Sequence, residues 1–98
     1  MIRHVALFTF TEEVTDEDVR AIDAGLAALP GLIDEIGNYS FGSDLKLGAG
    51  TYDYVVVGEF ASVEDYDTYS AHPEHVRVLT SIIKPVLKDV ARAQMEIS

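Results

Sequence analysis

Two stretches of this sequence, Ile2–Phe10 and Tyr52–Phe60, read as β-strands that are apolar on both faces. In the first, His4, Ala6, Phe8 and Phe10 alternate with Arg3, Val5, Leu7 and Thr9. In the second, Tyr54, Val56 and Phe60 share one face, and Val55 and Val57 lie on the other. Successive side chains of a strand point to opposite sides of its sheet, so a sheet built on these strands needs cover on both sides. A chain of 98 residues makes one domain and has helices enough for only one covering layer. The second cover has to come from outside the chain. A hydrophobic content of 48% agrees, being more apolar material than one small core needs.

The remaining elements follow from periodicity and punctuation. Thr15 to Leu29 reads as a helix. Thr15 and Asp18 have capping-box spacing, and Asp16 and Glu17 sit at the positive end of the helix dipole. Val19, Ile22, Leu26 and Leu29 make one buried stripe, and Pro30-Gly31 is expected to end the helix. Leu32 to Gly42 reads as a weaker strand with Tyr39 and Phe41 on one face and a bulge or edge position at Gly37. Ser43 to Thr51, with Gly48 and Gly50, reads as a mobile connection. Ser62 opens a short helix, with Asp65 at capping spacing, that runs to Tyr69 or Ser70. Pro73 starts another, with Val76, Leu79 and Ile82 or Ile83 inward, and Pro85 stops it. A last strand alternates Ala91, Ala93, Met95 and Ile97 against Arg92, Gln94 and Glu96.

Strand, helix, strand, strand, helix pair, strand is the split β-α-β order of ferredoxin-like α+β folds. The expected architecture is a four-stranded antiparallel sheet with helices on one face. Val5, Leu7, Val55 and Val57 are then left on the other, and an apolar patch of that kind marks an interface. The sheet of a second copy is the simplest cover, so a homodimer that closes an α/β barrel is expected.

Charge narrows the partners. Seventeen acidic and 7 basic residues give a formal charge of −10, which repels a phosphate backbone and an anionic membrane surface. Nucleic acid and membrane are therefore not expected partners. There is no cysteine, which excludes disulfides and thiol chemistry and suits a cytoplasmic chain. The opening Met-Ile-Arg-His enters a strand directly, without the order of a signal peptide. No apolar run approaches the roughly 20 residues of a membrane span.

The chemistry-bearing residues concentrate in Tyr69-Ser70-Ala71-His72-Pro73-Glu74-His75. It sets one phenol and two imidazoles at the break between two helical segments. Imidazole changes charge near neutral pH and serves as acid, base or ligand, and a tyrosine beside it can hold a carbonyl oxygen. The plain alternative is a helix start with exposed imidazoles. His72, just before Pro73, suits a structural role at the turn. His4 and Tyr54 share their strand faces with Ala6, Phe8 and Val56, so they should look toward the helices that carry Tyr69 and His75. A mostly apolar small-molecule pocket between sheet and helices is the expected result. The three histidines lack carboxylate or thiolate partners at ligand spacing, so no metal site is expected.

Several of these residues together resemble a known family. They are the opening Ile2-Arg3-His4-Val5, the Leu29-Pro30-Gly31 helix end, the Tyr54-to-Phe60 strand and, most specifically, Tyr69-x-x-His72-Pro73-x-His75-Val76. Nearly end to end, the chain resembles the Dabb family of stress-responsive α/β-barrel domain proteins. The resemblance implies a dimeric barrel of ferredoxin-like protomers. It includes polyketide cyclases of the olivetolic acid type, which close a linear polyketide by intramolecular aldol condensation without a metal or organic cofactor. Their catalytic histidine and tyrosine fall on His75 and Tyr69, and their first-strand histidine falls on His4. A further strand histidine falls on Tyr54, and a helix tyrosine on Ile22. The implied site therefore has His75 and Tyr69 as catalytic residues and His4, Tyr54, Phe8 and Ile22 against the substrate. Some relatives hold a cation on main-chain carbonyls, which would map near Leu26, Leu29 and Leu32. Two alternatives stand beside the cyclase reading. One is a small-molecule-binding or stress protein without turnover. The other is a dimeric-barrel monooxygenase in which His75 imitates a haem ligand, and the Tyr-x-x-His-Pro-x-His pattern argues against it.

Overall fold

β1 (Ile2–Phe10) is an inner strand, paired antiparallel with β3 (Tyr54–Phe60) on one side and β4 (Leu87–Glu96) on the other. With β2 (Asn38–Ser43) on the outer edge of β3, the sheet order is β2-β3-β1-β4. The computed structural model describes residues 1–98. The alternation read from sequence is kept: His4, Ala6, Phe8 and Phe10 are buried, while Val5, Leu7 and Thr9 are only half-covered. β3 does the same, with Tyr54, Val56 and Phe60 buried and Val55 and Val57 half-covered. Register sets Val5 opposite Val57 and Ala93, and Leu7 opposite Val55 and Ala91, which gathers the half-covered side chains into one apolar block. The fold is the ferredoxin-like α+β arrangement with helices on the other face.

α1 (Asp16–Leu32) begins as the capping box requires: Asp18 N–H donates to Thr15 Oγ1 at 3.1 Å and Thr15 N–H to Asp18 Oδ2 at 3.0 Å. Ile22, Leu26 and Leu29 bury its inner stripe. The expected stop at Pro30-Gly31 does not hold, and the helix continues to Leu32. Proline lacks one donor, which costs the single bond to the Leu26 carbonyl. The winding continues because Ile33 N–H caps Leu29 O at 2.8 Å and the Ile33 side chain is fully buried. That continuation also moves the start of β2 from Leu32 to Asn38. No helix is long and apolar enough to cross a membrane.

α2 (Val63–Ala71) and α3 (Pro73–Arg77) form the helix pair, joined at His72. Beyond α3 the backbone widens into a π-helical turn (Val78–Ile83) and tightens into a 3-10 turn (Lys84–Val86). Pro85 therefore sits inside the last turn rather than ending a regular helix, and β4 begins at Leu87, ahead of the expected Ala91. α1 lies against the π turn at Gly25. A Cβ there would stand 3.2 Å from Ile82 Cδ1 and 3.3 Å from Val78 Cγ1. Gly25→Val should overpack this contact and cost roughly 1–3 kcal/mol. The urea midpoint measures it, and an unchanged midpoint would show that the two elements part freely.

The β2–β3 connection is pinned at its neck. Asp44 N–H bonds Asp53 O at 2.9 Å, Lys46 Nζ reaches Asp53 Oδ1 at 2.5 Å, and Phe10 N–H reaches Asp53 Oδ2 at 2.8 Å. Its tip carries the exposed Leu45 and Leu47. Mobility should therefore divide within the connection. Amides of Gly48 to Thr51 should exchange within the dead time of a hydrogen-exchange experiment, while the Asp53 amide, bonded to Phe8 O at 2.8 Å, should be protected.

Candidate functional site

The helix-facing side of the sheet and the α2–α3 corner enclose a cavity of about 300 Å³. Ala6, Phe8 and Val56 make its apolar floor, and Leu26, Val78 and Leu79 close it from the helices. Its polar groups come from separate elements. His4 stands on β1, level across the sheet with Gly58 of β3 and Tyr39 of β2. Gly58 keeps that row open: a Cβ there would lie 3.2 Å from Tyr39 Cδ1 and 3.1 Å from Phe60 Cε2.

The α2–α3 corner supplies Tyr69 and His75. Tyr69 ends the buried side of α2 and is 2% exposed. His72 then breaks the helix. Its Nδ1 accepts the Glu74 N–H at 3.1 Å, capping α3, so this imidazole has the structural role its place before Pro73 suggested. The turn brings His75 back against Tyr69, with ring centroids 4.3 Å apart.

Hydrogen bonds fix what each group can do. His75 Nδ1 lies 3.0 Å from the Ser70 carbonyl oxygen. A carbonyl only accepts, so Nδ1 carries the hydrogen, and the neutral ring keeps its lone pair on Nε2. The hydroxyls of Tyr69 and Tyr39 are 2.7 Å apart and share one hydrogen, leaving the other O–H free. With Tyr39 donating, the free O–H is that of Tyr69, beside His75. A hydroxyl that accepts such a bond becomes a better donor itself. At His4, Gln94 Nε2 donates to Nδ1 at 2.8 Å, so the neutral ring presents Nε2–H.

Burial sets the protonation states. It lowers the His75 pKa, against a smaller upward pull from the Ser70 carbonyl, and Arg92 and His72 lower it further. His4 is lowered to about 4, by burial first and then by Arg92 and His75. The Tyr69 phenol is pushed up to about 12 by burial, with the bond from Tyr39 pulling the other way. Tyr39 is raised further, by burial and by Tyr69. At neutral pH the two imidazoles are uncharged and the Tyr39 and Tyr69 phenols intact: one free ring nitrogen as a base, and hydroxyl and ring N–H groups as donors.

The shift at His4 has a cost in acid. Its folded pKa lies below its unfolded value, so the unfolded chain takes the proton first, and stability falls as pH drops from about 6.5 to about 4. That range corresponds to roughly 3 kcal/mol at this one residue. Denaturant unfolding at fixed protein concentration should show it as a smaller acid loss in His4→Gln. An equal loss in both proteins would place the effect elsewhere.

The sequence matches the stress responsive A/B barrel domain over residues 2–97. The chain belongs to this family. The Arabidopsis thaliana stress-response A/B barrel domain-containing protein HS1 is 32% identical over 82 residues, covering 81% of this chain and 74% of HS1. A second, longer stress-response A/B barrel domain-containing protein of the same plant is 26% identical over 91 residues, 92% of this chain but 34% of its own length. The chain thus spans about a third of that relative. Among solved structures, a dimeric ferredoxin-like protein of unknown function from Thermobifida fusca is 40% identical. It superposes with a TM-score of 0.90 over 98% of this chain and 90% of that one.

Within this A/B barrel domain, not every residue expected at the site reaches it. His4, Phe8, Tyr69 and His75 line the cavity, but Tyr54 and Ile22 do not. Tyr54 lies on the expected face two pairing rows beyond Val56, opposite Phe8. There it is fully buried, stacked on Phe8, with its hydroxyl donating to Asp23 Oδ1 of α1 at 2.5 Å. Ile22, also fully buried, packs in the core and has no cavity surface. Alternation gives a residue's side of the sheet and not whether its side chain reaches the cavity. Tyr39 and Arg92 line the cavity and were missed. Arg92 was legible, because it alternates with Ala91 and Ala93 and must share the helix-facing side. Tyr39 needed the β2–β3 register. No three His, Asp or Glu side chains converge as a metal site. Of the main-chain carbonyls near the end of α1, that of Leu29 already accepts Ile33 N–H.

Proposed function

We propose that this domain is a homodimer whose pocket performs acid–base chemistry on a small enolisable carbonyl compound, as an aldol-type cyclase or lyase that uses no organic cofactor. The observation that carries this reading is the His75–Tyr69 pair, 4.3 Å between rings, with His75 oriented by Ser70 and Tyr69 backed by Tyr39. His75 Nε2 takes a proton from carbon beside the carbonyl. The electron pair moves onto the carbonyl oxygen, where the Tyr69 O–H, and the His4 N–H as a second donor, hold the enolate. The enolate carbon then attacks a second carbonyl carbon of the same substrate, forming the C–C bond. The new alkoxide recovers the proton from His75, which returns to neutral. A cavity of about 300 Å³ lies at the lower end of the range of small-molecule sites.

The family likeness supports the dimer, since the related Thermobifida fusca protein is described as dimeric. So does the half-covered Val5, Leu7, Val55 and Val57 face. The direct test is hydrogen–deuterium exchange at the central carbon of a β-diketone, followed by NMR at pH 7. The protein should accelerate exchange over buffer, and the same sample after heat denaturation should not. Exchange at the buffer rate would leave the pocket without this chemistry.

A further inference from the structure

The wall of the cavity holds no carboxylate, and its single permanent charge is the guanidinium of Arg92. This is unexpected in a chain with 17 acidic and 7 basic residues. Arg92 is also without an acidic partner. The ion pairs of the chain are Arg3–Glu59, Lys46–Asp53 and Arg77–Glu74, and no carboxylate lies within ion-pair distance of Arg92. Glu96, the nearest acid on the same face of β4, is four residues away, about 13 Å along a strand. Asp67 of α2 lies on a neighbouring groove with Gln94 and Glu96, outside this cavity. Arg92 pairs across the sheet with Ala6, whose methyl leaves the space above it open to the pocket.

We propose that Arg92 is the anion-recognition residue of this pocket and that its ligand carries a carboxylate at the end nearest β4. A guanidinium on the cavity wall, with no carboxylate competing for it, binds a ligand carboxylate through two parallel hydrogen bonds. One guanidinium matches one negative charge. A phosphate monoester brings nearly two at neutral pH, and the wall has no second cation while His4 and His75 are neutral. Combined with the function proposed above, on which only the carbonyl part rests, the substrate class is a short keto acid. Its carboxylate sits on Arg92, and its enolisable carbonyl lies between His75 and Tyr69.

The experiment compares binding, without reference to turnover, of a β-diketone bearing a terminal carboxylate and of its methyl ester. Both are titrated by NMR into the wild-type protein, Arg92→Gln and Arg92→Lys. A charged hydrogen-bonded pair corresponds to roughly a tenfold to hundredfold preference. The wild type should prefer the acid by that factor, more weakly as salt is raised. Arg92→Gln should bind acid and ester alike, with ester affinity unchanged, and Arg92→Lys should keep part of the preference. Equal binding of acid and ester by the wild type, an intact preference in Arg92→Gln, or no saturable binding of either compound overturns the assignment. A preserved preference without isotope exchange keeps Arg92 as the anion site and removes the enolisation chemistry alone.

Discussion

Replacing His75 with alanine should lower isotope exchange and turnover of an enolisable substrate by roughly 10²–10⁴-fold, the range of a positioned general base. The ring is half-exposed, and its one hydrogen bond is to the Ser70 carbonyl beside the cavity, so its loss should leave the fold and the dimer intact. The pH profile carries the same signature. The working form is the neutral ring, and burial lowers its pKa, so the rate should rise with pH at a midpoint below the free value of about 6.5 and then stay level. The level region should extend through pH 8, because Tyr69, raised to about 12, keeps its proton there. Tyr69→Phe should retain the pH midpoint and lose rate through the missing oxyanion donor, on the order of 10²-fold. A wild-type rate in His75→Ala, or a midpoint above 6.5, would assign the base elsewhere.

Val57→Asp should convert the dimer to monomer or aggregate in sedimentation velocity at micromolar concentration. Val57 sits in the row Ser40, Val57, Val5, Ala93 across all four strands, and Val55 in the row Gly42, Val55, Leu7, Ala91. Small residues on the two outer strands leave the central Val and Leu side chains as a low ridge. Two such sheets can approach to about 10 Å and bury on the order of 1,600 Å² between them. A carboxylate in that contact has no basic partner in either row, and each dimer carries two copies. An uncompensated buried charge costs about 3–5 kcal/mol, enough to shift a micromolar equilibrium to dissociation. If Val57→Asp sediments as a dimer with wild-type affinity, this face is not where two copies meet.

Most of the sheet was legible in the sequence because a strand's alternation is strictly local. The parity of His4, Ala6, Phe8 and Phe10 assigned every side chain of β1 to its face and left Val5 and Leu7 on the half-covered one. The capping box of Thr15 and Asp18 placed the start of α1 for the same reason. What was missed depends on tertiary partners. Burial of Ile33 carries α1 through Pro30, and the approach of α1 at Gly25 accompanies the π turn at Val78–Ile83. At the site, the motif around His72 and His75 gave the corner and the pair Tyr69–His75. The hydroxyl of Tyr39, 30 positions from Tyr69 in sequence, arrives only through strand register. Tyr54 was placed on the right face but lies beyond the cavity, because Asp23 of α1 offers its hydroxyl a partner there.

β1 has one further consequence. His4, Ala6 and Phe8 belong to the cavity, while Val5 and Leu7 belong to the half-covered face. The strand is thus written in a two-letter frame, one letter for the cavity and one for the half-covered face. Point changes at even and odd positions therefore act separately on the cavity and on the half-covered face. A one-residue deletion within β1 has no such freedom. It shifts the frame on one side of the deletion, so that His4 and Phe8 can no longer both face the pocket.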